Sequence, residues 1–76
     1  MEYKIKKQKK LEKELNLKIY EDLYTSRLFV EFYSDDRKFI LQRSFQNTIV
    51  GQKESEEFSK SLKNLKDLKL RLRYTK

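Results

Sequence analysis

The middle of the chain alternates between apolar and polar positions. In Arg27-Leu28-Phe29-Val30-Glu31-Phe32-Tyr33, Leu28, Val30 and Phe32 fall on one side of an extended backbone and Phe29, Glu31 and Tyr33 on the other. Aromatic and β-branched residues in this pattern suit a pleated, half-buried surface. Lys38-Phe39-Ile40-Leu41-Gln42-Arg43-Ser44 continues the pattern, and Ser34-Asp35-Asp36-Arg37 between the two runs carries the short oxygen-bearing side chains that bond nearby backbone N–H groups in turns. These runs predict a β-hairpin. Leu17 and Ile19 alternate with Lys18 and Tyr20, and Thr25-Ser26 suits a turn, which extends the hairpin to a three-stranded antiparallel meander over about residues 17–45.

The flanks follow a different period. Ile5, Leu11 and Leu15 lie within one stripe of about 140° at 100° per residue, which predicts an amphipathic helix over about residues 4–15, broken at Asn16. Ile19 and Leu23 extend the same stripe, so a helix running on to Tyr24 competes with a strand over 16–24. Gln46-Asn47-Thr48-Ile49-Val50-Gly51 reads as a connection, with Gly51 free to take a positive φ. A second helix is expected over about residues 53–65, where Phe58, Leu62 and Leu65 recur at helical spacing and Glu54, Glu56 and Glu57 complement the positive end of the helix dipole. Leu68, Leu70, Leu72 and Tyr74 then alternate with Lys69, Arg71, Arg73 and Thr75, as an edge strand would, while Leu65, Leu68 and Leu72 also suit a continued helix. The alternation favours an extended amphipathic tail. The expected fold is a single small α+β domain spanning residues 1–76, its hairpin or meander packed against an N-terminal helix and a second helix.

Composition narrows the function. With 19 Lys and Arg against 12 Asp and Glu, the 76 residues carry a net charge of +7. Only 37% of the residues are hydrophobic and 41% are charged, against about 45–50% and about 25% in an average domain. So small a core invites completion by a partner, and a homodimer pairing the Leu68, Leu70 and Leu72 tails is expected, since it would remove an exposed strand edge. The absence of Cys and His excludes disulfides, thiol nucleophiles and zinc clusters, and removes the commonest general base. Asp35-Asp36 reads as a turn former and Glu54, Glu56 and Glu57 as dipole complement, rather than as Mg²⁺ ligands. No catalytic residue, metal or cofactor is expected, and the chain is not read as an enzyme. No apolar run of seven or more residues follows the lysine-rich start, so neither a secretion signal nor a membrane span is expected, and the expected location is intracellular and cytoplasmic. Heavy use of Lys, Asn, Ile, Phe and Tyr fits an AT-rich coding sequence, as in a low-GC bacterium or its phage.

The charge is placed unevenly: residues 1–18 and 68–76 each sum to +4, and residues 19–36 to −4. Basic ends that converge could track a phosphate backbone, because cations that neutralise phosphates release condensed counterions. Lys4, Lys6, Lys7, Lys9 and Lys10 at one end and Lys69, Arg71 and Arg73 at the other are the candidates, with Arg43 between them. The bland reading is a set of solvated faces that keep a small protein soluble, but +7 exceeds what solubility needs. The hairpin adds Phe29, Tyr33, Lys38 and Gln42, with Ile40, on the sheet face away from the helices. Rings interleaved with cations and an amide form the kind of platform on which single-stranded bases stack. Glu31 on the same face opposes that use, and burial of Phe29, Tyr33 and Ile40 under another element or a second subunit is the competing expectation.

A helix, a three-stranded meander and a second helix is similar in layout to double-stranded-RNA-binding domains, where the start of the last helix is basic; here that stretch is Lys53-Glu54-Ser55-Glu56-Glu57, which would repel phosphate. Three strands and a helix also resemble the arm-binding domain of tyrosine integrases. Neither likeness rests on a residue motif, so neither transfers a role. The expected function is non-catalytic nucleic-acid binding, of DNA or RNA. The rival is a small protein-binding module of phage or mobile-element type that inhibits or adapts a host protein and meets an acidic protein surface.

Overall fold

The computed structural model describes residues 2–74. Four strands, β1 (Tyr3–Glu12), β2 (Leu15–Asp22), β3 (Leu28–Ser34) and β4 (Ile40–Phe45), form an antiparallel meander in chain order, and two helices, α1 (Ile49–Ser59) and α2 (Leu65–Tyr74), follow. Both helices pack on β3 and β4. The expected hairpin is present as β3 and β4, joined through residues 35–39, and the expected turn at Thr25-Ser26 joins β2 to β3.

The N-terminal helix expected over 4–15 is instead β1 and the start of β2. Ile5 and Leu11 are the only apolar residues between Lys4 and Glu14, so a helix there would bury little, whereas the extended chain gains a ladder with β2 from Tyr3 opposite Asp22 to Glu12 opposite Leu15. The weak helix preference of Lys, Glu and Gln loses to that pairing. Lys13 and Glu14 make the turn, with Glu14 in the left-handed region at φ 69°. Because β1 is an edge, its lysines and its irregular register near Lys6 and Leu11 also discourage pairing with another chain.

The helix expected over 53–65 begins earlier and ends earlier, as α1. Thr48 caps it, its hydroxyl accepting from the Gly51 N–H at 3.1 Å, and no acidic residue falls in the first turn, so the dipole role given to Glu54, Glu56 and Glu57 does not hold. Gly51 lies inside α1 without a positive φ. It is needed for space: a Cβ there would sit 1.8 Å from the Gln46 carbonyl oxygen.

The extended tail is also corrected, to α2. Asn64 accepts from the Asp67 N–H at 2.9 Å while the Asp67 carboxylate accepts from the Lys63 N–H at 3.1 Å, and Arg71 and Arg73 stand at the negative end of the dipole. A helix directs Leu68 fully into the core and packs Leu65 and Leu72 beside it, leaving Leu70 outside. The strand pairing of Leu68, Leu70 and Leu72 between two copies therefore has no basis. The core joins Leu15 and Leu17 of β2, Val30 and Phe32 of β3, Phe58 of α1, Leu62 and Leu68. Phe58 meets Phe32 edge-on, with ring centroids 5.4 Å apart.

Leu68→Ala should destabilise the domain by roughly 2–5 kcal/mol, the usual cost of truncating a buried leucine. Gly51→Ala should cost roughly 1–3 kcal/mol through overpacking against Gln46. Urea denaturation measures both, and a Leu68→Ala variant as stable as the parent would contradict the docking of α2.

Candidate nucleic-acid interface

The helices cover one face of the sheet only. On the other face, cross-strand register aligns Tyr3 and Ile5 of β1, Lys18 and Tyr20 of β2, Phe29, Glu31 and Tyr33 of β3, and Ile40 and Gln42 of β4. Tyr20 stands directly opposite Phe29, and their rings stack at 5.2 Å with an interplanar angle of 11°. Tyr3 tilts against Tyr20 at 5.2 Å, making a row of three rings across three strands. The ladder sets Lys18 opposite Glu31, yet the Lys18 ammonium lies 5.0 Å from the Tyr3 ring centre and 5.3 Å from that of Tyr20. Cation–π attraction of this kind is worth roughly 0.5–1 kcal/mol at an exposed site.

Tyr33 lies further along β3, under the Arg37 guanidinium at 4.6 Å. Arg37 adopts φ 58° in the turn. The Tyr33 hydroxyl accepts from the Gln8 amide at 3.2 Å and the Tyr20 hydroxyl from the Gln42 amide at 2.6 Å. Glu31 sits at the centre, only 7% exposed; its Oε1 has no hydrogen-bond partner, and Arg37 Nη2 lies 3.7 Å away. Burial, then the charges of Glu31 and Asp22, push the Tyr20 phenol above its usual value and keep it neutral.

Of the residues picked out in the sequence, Phe29, Tyr33 and Gln42 share this open face, as expected. Neither Phe29 nor Tyr33 is covered by a helix, and both are half-buried among their neighbours. Lys38 does not join them on a strand, because β4 starts only at Ile40 and Lys38 belongs to the turn. Arg43 faces the helices opposite Val30, its guanidinium 5.4 Å from the Phe58 ring.

The two basic ends do not converge on the open face. Lys69, Arg71 and Arg73 belong to α2 in the helix layer, and the Lys69 ammonium lies 4.8 Å from the Phe39 ring. Lys4, Lys6, Lys7, Lys9 and Lys10 line the exposed edge strand β1 rather than a helix; Lys10 falls opposite Asn16 on the open face, whereas Lys4, Lys7 and Lys9 stand opposite Glu21, Ile19 and Leu17, on the side of the sheet that faces the helices. Lys10 pairs with Asp35 at 2.6 Å and Lys6 with Glu21 at 3.8 Å, whereas Lys4, Lys7 and Lys9 make no ion pair among the described residues. Lys6 and Lys7 border a cleft of about 320 Å³ between β1 and α1, floored by Ile19 and Leu28.

Tyr3, Lys18 and Tyr20 were missed in the sequence reading. The signal for Lys18 and Tyr20 was their alternation with Leu17 and Ile19, which places both on the face shared by Phe29, whereas Tyr3 reaches that face only through the pairing of β1 with β2. Among the described residues no cluster of three or more Asp or Glu is arranged to hold a metal ion, and no helix is long and apolar enough to cross a membrane.

The turn beside Tyr33 is set by two carboxylates. Asp35 accepts from Lys10 Nζ and, at 2.7 Å, from the Asn16 amide, which hold its carboxyl below the usual range. Asp36 accepts from the Ser34 hydroxyl at 2.6 Å and from the Lys38 N–H at 3.0 Å, with the same effect. Carboxyls lowered in the folded state contribute their stability in full above the unfolded value, about 3.9, and lose it as pH falls through the lower folded values. Stability should therefore decline on acidification below about pH 4, and Asp35→Asn with Asp36→Asn should flatten that decline. Urea melts across the acid range read it, and an acid limb unchanged in the double variant would refute the assignment.

Compared with known proteins, the chain matches no family model, no curated protein and no solved structure.

Proposed function

We propose that this chain binds single-stranded nucleic acid without catalysis, laying bases over the open sheet face and phosphates along β1. The observation that supports this reading is the uncovered face carrying Tyr3, Tyr20, Phe29 and Tyr33, which ends at the exposed edge strand β1, with Lys10 on the same face and Lys4, Lys7 and Lys9 exposed on the other side of that edge. Bases stack on protein rings with little sequence preference, and cations beside them hold the backbone. Lys18 and Arg37 stand over the rings, and Gln8 and Gln42 supply amides at their margin.

A protein-binding role is the second reading, favoured by one feature. Tyr20 and Phe29 already stack on each other and the Tyr20 and Tyr33 hydroxyls are engaged, so the face is ordered before any partner arrives. Fixed Tyr, Phe and Arg side chains are what the centres of protein interfaces use.

Fluorescence-polarisation binding to single- and double-stranded DNA and RNA across a salt series separates the two. Affinity for single strands should fall linearly on a log–log salt plot, and replacing Lys4, Lys7 and Lys9 together by Gln should flatten the slope by about 2, from roughly 0.7 per phosphate contact. Phe29→Ala and Tyr33→Ala should each weaken binding by roughly 1–3 kcal/mol. Glu31→Gln should strengthen it by removing a negative charge. The absence of binding to any of the four probes at low salt would rule out the nucleic-acid reading.

A further inference from the structure

Large apolar side chains are exposed mainly at one end of this molecule. Tyr24 is 90% exposed, Ile49 87%, Val50 68% and Leu23 51%, with the half-exposed Tyr3 at the margin. The topology gathers them: the start of β1, the end of β2, the start of β3 and the end of β4 lie at the same end of the sheet. Leu23 and Tyr24 form the β2–β3 turn, and Ile49 and Val50 open α1 just beyond β4.

This end is tied together. The Leu23 N–H donates to the Glu2 carbonyl at 3.2 Å, and the Asp22 carboxylate accepts from the Tyr24 N–H at 2.9 Å and the Thr25 hydroxyl at 3.0 Å. The Asn47 amide donates to Glu21 Oε2 at 3.2 Å, linking the β4–α1 connection to β2. Tyr24 and Ile49 are thus held outward by an ordered backbone, which lowers the ordering cost of covering them.

Charge identifies what covers them. Residues 2–6, 21–28 and 45–54 carry four cations, Lys4, Lys6, Arg27 and Lys53, and four anions, Glu2, Glu21, Asp22 and Glu54. The whole net charge of +7 therefore lies elsewhere, most of it on the rest of β1 and on α2. This end as a whole has no excess of cations for phosphate to neutralise. Two copies of so cationic a chain meet there without the like-charge repulsion that opposes contact through β1 or α2. A two-fold contact needs a self-complementary patch hiding ~800 Å² per partner, about a seventh of the chain's 5740 Å². We infer that a second copy of this chain docks end to end through Leu23, Tyr24, Ile49 and Val50, leaving the open sheet face of each copy free.

Sedimentation equilibrium of the full chain over about 10–500 µM tests this. The expected result is a monomer–dimer equilibrium that holds or strengthens as salt rises from about 0.05 to about 0.5 M, since screening relieves the repulsion of the cationic bodies. The double variant Tyr24→Ser, Ile49→Ser should weaken association at least about tenfold (~1.4 kcal/mol). Its circular dichroism, thermal midpoint and affinity for a short single-stranded oligonucleotide should match the parent's, because both side chains lie outside the core and the open face. A parent that stays monomeric throughout, or a dimer untouched by the double variant, would overturn the inference. So would a monomer that instead floats with phosphatidylcholine vesicles through Tyr24 and Ile49, which would assign this end to a lipid surface.

Discussion

The contact on which this structure depends is the seating of Phe32 under Phe58, flanked by Leu15, Leu17, Val30 and Leu68. With 37% of its residues hydrophobic, the chain builds one buried apolar layer, between sheet and helices. Both helices are committed to that layer. The second sheet face therefore remains open, and a domain this small keeps a large share of its surface wet in any case.

An open face must be self-sufficient. Tyr20 and Phe29 shield each other by stacking, Lys18 spreads over Tyr3 and Tyr20, Arg37 covers Tyr33, and two glutamines bond the Tyr20 and Tyr33 hydroxyls. Glu31 is the discordant element. It is buried in this face, and its Oε1 makes no hydrogen bond and has only the Arg37 guanidinium, 3.7 Å away, to offset its charge, an arrangement that costs stability unless a ligand adds to that cation. The same economy explains the placement of charge. The lysines of β1 solvate an edge that has no cover, and on the proposed reading they also hold the phosphates of a backbone that runs along that edge.

The hairpin was legible in the sequence because Leu28, Val30 and Phe32 alternate with Phe29, Glu31 and Tyr33 and so fix both the period and the inner face. The faces of Phe29, Tyr33 and Gln42 followed from that alternation. β1 was not legible: Lys and Glu carry a modest helix preference, Ile5 and Leu11 fit either period, and the pairing with β2 that decides between them is a tertiary fact. The tail failed for a related reason, since Leu68, Leu70 and Leu72 satisfy strand spacing while Leu65, Leu68 and Leu72 satisfy helical spacing. Local evidence for the helix was nevertheless present in the Asn64-x-x-Asp67 cap and in Arg71 and Arg73. The Thr48 cap was likewise available and would have moved the start of α1 to Ile49.

The central claim is that the sheet face left bare by the helices is the working surface. Its most direct test is an NMR titration of the isotopically labelled chain with a short single-stranded oligonucleotide at low salt, following backbone amides and aromatic side chains together. The account predicts that ring signals of Tyr3, Tyr20, Phe29 and Tyr33 shift with the amides of β1, while Phe58, Leu62 and Leu68 in the helix layer stay fixed. Shifts confined to α1 and α2, with the four rings unmoved, would contradict it.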